Sequence, residues 1–348
     1  MREYLPKLLG NAETKERIGK AVESGTVPHA FLIGGPSGSG KSTLATEIAA
    51  AVNCENKGSA AHALPCGVCN SCRRIYGGNF TDVKILGKKK EKATLGVGEI
   101  KDFREDMFLS ATESDHKIYV IDDAECMTVE AQNALLKVLE EPPSGVMILL
   151  LAKECDRILT TIKSRAQYVA MTRFSEREIE KFLLEKSEDA RKMFSEDKEM
   201  LRSVILGADG RLGFALELVN SESREDTLKE RTVAKELISS FVGRAAYSDV
   251  HEAIFSLPQK RTELNQAIEL AISAMRDLIV LKEDPTASTV FFTSKSEALD
   301  LAKDTDGKRL FSVYDALCEA HEMCQKNANV GSLLTCLASR IKSGKTVR

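Results

Sequence analysis

Apolar and polar positions divide the chain into two stretches of different rhythm. From residue 1 to about 172, short apolar runs alternate with helical patterns. HAFLIGG (29–35), FTDVKIL (80–86), HKIYVIDDAE (116–125) and VMILLLA (146–152) each predict a strand, and TTIKSRAQYVAM (160–171) holds one more. Between them, KSTLATEIAAAV (41–52), VGEIKDFREDMFLSA (97–111) and TVEAQNALLKVLEEPP (128–143) carry helical spacing. Two prolines stop the last of these, because proline lacks an amide donor and clashes with the preceding turn. Strands alternating with helices predict an α/β domain whose parallel sheet is covered on both faces.

After residue 172 the strand signals fade. FSEREIEKFLLEKS (174–187) and KEMLRSVILGADGRLGFALELVNS (198–221) read as helices, the second broken at Gly207–Gly210. The charged stretch SESREDTLKE (221–230) is a candidate boundary, and everything beyond about 225 is helical in pattern. In VGSLLTCLASRI (330–341), Leu333, Leu334, Leu337 and Ile341 recur at helical spacing and are expected to be mainly core. Three domains follow: 1–172, 173–222 and 223–348.

Composition is that of a globular protein, with 43% hydrophobic and 29% charged residues in 348. A net charge of −3 supplies no global basic field, so any DNA contact would be local or made by an assembly. The basic run KKKEK (88–92) is read as a solvated loop, with phosphate contact as the alternative. The charged, amphipathic N-terminus has no signal-peptide run, and VMILLLA is too short to span a bilayer. The expectation is a cytoplasmic protein with no membrane partner.

Gly35, Pro36, Ser37, Gly38, Ser39, Gly40, Lys41 and Ser42 fit the phosphate-loop pattern G-x-x-x-x-G-K-[ST], with Thr43 continuing it. Glycines let successive amides turn inward around a phosphate, and the following helix aims its positive end there. Lys41 supplies a full charge, and Ser42 a hydroxyl for Mg2+. ATP is the expected ligand. Asp122, at the end of an apolar strand, suits Mg2+ coordination. Asp123 stands where hydrolytic proteins of this type most often carry Glu. It is one methylene short, so hydrolysis is expected to be weak or absent. Glu125 is an alternative base, and a strand-end cap is the bland reading of all three acids.

Cys54, Cys66, Cys69 and Cys72 lie within nineteen residues. Two C-x-x-C turns and a fourth cysteine suit a structural Zn2+ with no open position, in an insertion spanning about 53–76. A ferredoxin-type cluster would want a further Cys-Pro downstream, which Arg73-Arg74-Ile75-Tyr76 does not supply. His62 is an alternative to one thiolate. Cys126, Cys155, Cys318, Cys324 and Cys336 are scattered and read mostly as small buried hydrophobes.

Taken together, HAFLIGGPSGSGKS, LPCGVCNSC, VGEIKDFRE, VIDDAECM, AQNALLKVLEEPP and TIKSRAQ resemble bacterial DNA polymerase III clamp-loader subunits of the AAA+ class. The resemblance runs over most of the chain. It implies an AAA+ P-loop domain with a zinc insertion, a helical lid and a helical collar. TIKSRAQ resembles the family's Ser-Arg-Cys motif with Ala166 in place of Cys, so Arg165 matches the arginine that reaches a neighbour's ATP site. The implied partners are other clamp-loader subunits (gamma/tau and delta), the sliding clamp, and primed DNA through the assembly.

Several positions depart from the family's motor subunits. Gly213 takes the place of a sensor arginine, with Arg211 two residues earlier. Ala152-Lys153 takes the place of a threonine pair, and Asp123 that of Glu. These look like the stator-like delta-prime kind, which often hydrolyses nothing. An ATP-hydrolysing gamma/tau-like motor is the alternative. An unrelated small-molecule kinase explains neither the cysteine module nor SRAQ.

Overall fold

The computed structural model describes residues 2–87, 94–109, 111–196, 198–208, 210–242, 247–287, 289–292, 295–303, 305–325 and 328–343. The basic run 88–92 lies outside them. The chain divides into two compact units, Met1–Glu178 and Ile179–Arg348. The division therefore follows Glu178 instead of residue 172.

The first unit contains, in order, α1 (Ala12–Glu23), β1 (Ala30–Gly34), α2 (Lys41–Val52), α3 (Asn70–Tyr76), β2 (Val83–Leu86), α4 (Val97–Met107), β3 (Lys117–Ile121), α5 (Val129–Glu140), β4 (Val146–Ala152), α6 (Thr160–Lys163) and β5 (Gln167–Ala170). The strands form one sheet in the order β2-β3-β4-β1-β5, and every pairing is parallel. Alternate side chains along the strands feed two cores. Phe31, Ile33, Ile118, Val120, Leu149 and Leu151 pack with Leu44 and Ile48 of α2. Leu32, Tyr119, Ile121, Ile148 and Leu150 pack with Ile100 of α4 and with Leu135 and Val138 of α5. With both faces covered, β1, β3 and β4 are buried at every position, which is why their sequences read as apolar runs, broken only by Lys117 at the start of β3. The α4 pattern ends at Met107, four residues before the apolar spacing does.

The second unit is helical among its described residues: α8 (Glu188–Glu196), α9 (Lys198–Gly207), α10 (Leu212–Val219), α11 (Ser221–Val242), α12 (Tyr247–Phe255), α13 (Arg261–Glu283), α14 (Lys295–Lys303), α15 (Gly307–Gln325) and α16 (Val330–Ser343). Helix α7 (Glu176–Lys186) begins in the first unit. Helix α10 ends at Val219 and α11 begins at Ser221, beside the expected boundary at 222, and α11 continues through the charged stretch 221–230. Leu333, Leu334, Leu337 and Ile341 of α16 are all core. Of the five scattered cysteines only Cys324 is buried; the other four are half-buried, so the expectation that most are fully interior does not hold.

Candidate functional site

The carboxyl ends of β3, β4 and β1 lie side by side. Because β4 is inserted between β1 and β3, the chain leaves these neighbouring ends in different directions, and in sheets of this kind such a switch point is the usual place of the ligand crevice. Residues 35–40 turn out of β1 there and enter α2. Gly35, Gly38 and Gly40 all have positive φ, at 156°, 75° and 88°. At Gly35 a Cβ would lie 2.4 Å from the carbonyl oxygen of Met171, so the residue type is fixed by contact as well as by conformation.

Within the loop the Lys41 ammonium donates to the carbonyls of Gly35 (2.8 Å) and Pro36 (2.9 Å). Burial pushes the Lys41 pKa down and the charge of Lys153 adds to that, while Glu125, Asp122 and Asp123 oppose it. Ser39 is buried and its Oγ has no hydrogen-bond partner among the described residues. Ser42 and Thr43 are exposed on the first turn of α2. An orphaned hydroxyl, a lysine held only by carbonyls and the start of a helix fit the phosphates of a nucleotide, which Gly35 to Thr43 would hold.

The acids follow β3. Asp122 is half-buried, and its Oδ1 accepts the Asp123 amide at 3.0 Å. Asp123 has left-handed backbone (φ 49°, ψ 48°), and its Oδ1 lies 3.2 Å from Nζ of Lys153. Lys153 directly follows β4. Its pKa is raised: burial works against the charge, and Asp123, Glu125 and Asp122 together outweigh it. Glu125 is half-buried with Oε2 unpartnered; burial pushes its carboxyl up, opposed by the Lys153 backbone amide. The expected base is therefore not free. An ammonium already occupies one face of it.

The cysteine module leaves the end of α2. Sγ atoms of Cys54, Cys66, Cys69 and Cys72 all lie within 4.8 Å of one another. A tetrahedral zinc at about 2.3 Å from each sulfur would put them about 3.8 Å apart. Amides of Cys66, Cys69 and Cys72 donate to the sulfurs of Cys54, Cys66 and Cys69, at 3.4–3.5 Å. Such donors favour thiolates. The mutual interaction of the Cys54 and Cys72 sulfurs holds the Cys54 thiol down and pushes Cys72 up. The four residues can hold one metal ion without an open position. His62 is not in this cluster.

The module is tied to the phosphate-loop helix. Tyr76, the last residue of α3, donates to Glu47 of α2, which also accepts the Lys7 amide at 3.0 Å. Glu47 is fully buried. Arg2 anchors the far side, donating to the carbonyls of His62 (3.0 Å) and Lys57 (2.8 Å).

Arg165 lies just beyond α6, within the first unit. Its Nη2 is 2.7 Å from Oε1 of Glu140 at the end of α5, and its Nη1 donates to the Thr161 carbonyl (3.0 Å) and Ser164 Oγ (3.2 Å). The side chain remains 35% exposed, and an exposed pair of this kind is worth no more than about 1 kcal/mol, so it can be exchanged for another anion. Arg211 belongs to the second unit, where it precedes α10, donates from Nε to the Ala208 carbonyl at 3.3 Å and lies over the Phe214 ring at 4.6 Å.

Sequence reasoning missed Glu47 and the partners of Asp123 and Arg165. Glu47 had a signal, as the one acid inside the apolar run LATEIAAAV. The Asp123–Lys153 and Arg165–Glu140 pairs had none without strand order and packing.

Residues 10–175 match the family model described as DNA polymerase III, delta subunit. DNA polymerase III subunit tau of Bacillus subtilis is 28% identical over 92% of this chain, which spans only 59% of tau's length. Subunit delta′ of the same organism is 25% identical, covering 99% of this chain and 98% of its own. A gamma-subunit-related protein of Thermotoga maritima, known as a crystal structure, is 15% identical with a TM-score of 0.41, over 95% of this chain and 99% of that one. Among the described residues, no helix is long and apolar enough to cross a membrane.

Proposed function

The chain is related to the clamp-loader subunits of DNA polymerase III, gamma, tau and delta′ among them, and from that premise we propose that it is a delta′-like, stator subunit. In this reading it is a cytoplasmic AAA+ protein that helps load the sliding clamp onto primed DNA. It assembles with gamma/tau and delta subunits, with residues 173–222 as a lid and 223–348 as a collar. It holds ATP in an intact phosphate loop with little or no turnover. Its own structural Zn2+ is held by Cys54, Cys66, Cys69 and Cys72. It lends Arg165 to a neighbour's ATP site, where a planar guanidinium stabilises charge on the transferring phosphoryl group.

The observation that carries this reading is the Asp123–Lys153 ion pair. A water-activating carboxylate must be free to accept a proton, and here an ammonium engages it beside a complete phosphate loop. The gamma/tau motor reading is favoured by that same complete loop and by the tau relative. The two are separated in the assembled complex, with substitutions in this chain alone. A stator predicts that Arg165→Ala lowers turnover at the receiving site by more than about tenfold. It also predicts that Lys41→Ala leaves assembly turnover nearly unchanged. A large loss with Lys41→Ala, together with single-turnover cleavage at this site, overturns the stator in favour of the motor.

A further inference from the structure

Lys153 has a position that its pairing with Asp123 does not exhaust. The residue before it, Ala152, pairs in register with Gly34, and the Ala152 carbonyl accepts the Gly35 amide at 3.1 Å. Lys153 is thus seated beside the first residue of the phosphate loop, just past the end of the strand that lies between β1 and β3. From there its Nζ reaches Asp123 on the adjoining strand end at 3.2 Å. It shares an electrostatic environment with Asp122, Glu125 and Lys41. Half of its side chain is still exposed. The Asp122–Asp123 pair would otherwise be the natural place for a divalent metal at this edge, yet a fixed monovalent cation is already there. The two do not combine well, because Lys153 both takes up an acid and repels a second cation.

We propose that Lys153 is a resident cation of the phosphate-loop site, which takes over charge neutralisation from the divalent metal and lets the chain retain a nucleoside triphosphate without magnesium. This rests on the reading that the loop holds a nucleotide. Lys41 and Lys153 then approach the phosphates from the two strands that meet at the crevice. Asp123 orients Lys153 and is a positioning residue in this scheme.

The test is the affinity for ATP, by calorimetry or equilibrium dialysis, with and without magnesium. Buffers are stripped by resin instead of a chelator, so that metal on the cysteine cluster is not extracted. The full chain, Lys153→Met and Lys153→Arg are compared, with circular dichroism as the check on folding. The unchanged chain is expected to bind with a Kd that differs by less than about threefold between the two conditions. Lys153→Met should bind at least about tenfold more weakly without magnesium and recover when magnesium is added, the size of effect that one close charge supplies. Lys153→Arg should stay independent of the metal. If the unchanged chain binds ATP only with magnesium, the resident cation is refuted while nucleotide holding stands. If Lys153→Met weakens binding equally in both conditions, Lys153 is a structural pin and the proposal fails. Absence of binding under every condition removes both this inference and the nucleotide-holding reading.

Discussion

Gly35→Ala should damage the α/β unit far more than a methyl group usually does. The added carbon would lie 2.4 Å from the Met171 carbonyl oxygen, 2.9 Å from its Cβ and 3.1 Å from its carbonyl carbon. Carbon–oxygen contacts in proteins settle at about 3.3–3.6 Å, so roughly 1 Å must be found. Neither partner can yield cheaply. Gly35 donates to Ala152 on β4 at 3.1 Å, and Met171 donates to Gly34 on β1 at 2.7 Å. Relief means breaking the end of a ladder, about 1 kcal/mol, on top of about 1–3 kcal/mol for alanine at this φ. The sum is about 2–4 kcal/mol, a large share of an ordinary folding free energy. Gly25→Ala is the control, because Gly25 also has positive φ (70°) but nothing lies within 4 Å of its added carbon. It should cost only about 1–2 kcal/mol. Urea unfolding followed by circular dichroism suits a chain without tryptophan. If Gly35→Ala falls within about 0.5 kcal/mol of Gly25→Ala, the clash with Met171 does not constrain the loop.

Cys72→Ser should lower bound zinc from about one per chain to a small fraction and reduce Tm by about 5 °C or more, while Cys336→Ser, outside the cluster, should change neither. Metal analysis of freshly reduced protein decides this, and unchanged zinc in Cys72→Ser would refute the four-sulfur site. Asp106 gives a pH signature. Burial would raise its carboxyl, but hydrogen bonds from Lys84 and Tyr119 and the charge of Lys117 hold it down to about 2, against 3.8 unperturbed. A depressed carboxylate stabilises the fold above its unfolded pKa and loses that contribution as pH falls. The stability difference between the unchanged chain and Asp106→Asn should therefore be full at pH 6 and shrink steadily between about pH 5 and 2. With solvent screening it should amount to about 1 kcal/mol. A difference that does not vary with pH in urea midpoints would refute the assignment.

The parts of this molecule legible in its sequence are those whose chemistry is local. The phosphate loop is a contiguous run, and its glycines are needed for backbone reasons that a single residue type satisfies. Cys66, Cys69 and Cys72 sit in turns short enough to converge by spacing alone, and Cys54 lies twelve residues before them in the same short insertion. The strands β1, β3 and β4 announce themselves because burial on both faces removes nearly every polar position, Lys117 at the start of β3 excepted. What was not legible depends on order across the sheet. Nothing in residues 122–123 or 152–153 says that β4 lies between β1 and β3, so a lysine thirty residues downstream could be marked as unusual but not given a partner. In the helical half, charged positions 221–230 look like a linker, yet helix α11 continues through them, since a stretch with three Glu, one Arg, one Lys and one Leu extends a helix as readily as it ends one.

The position of β4 also bears on how the site can work. For Asp123 to activate water it must release Lys153, and the cost depends on where the ammonium goes. Lys153 cannot leave the crevice by its main chain, because Ala152 before it is fixed to both β1 and the sheet core. Only the side chain can move, and its other available anions are Asp122, Glu125 or the phosphates themselves. Moving to Asp122 would remove the acid best placed for a metal. Leaning toward the phosphates while still held by Asp123 leaves the carboxylate engaged, and letting go of Asp123 altogether would free an acid one methylene shorter than the Glu of hydrolytic proteins, with left-handed backbone directing it. Each route that restores one element of hydrolysis weakens another. In the stator reading proposed above, a nucleotide bound here would therefore persist and act as a fixed part of the protein's framework, stabilising it by mass action instead of driving a cycle.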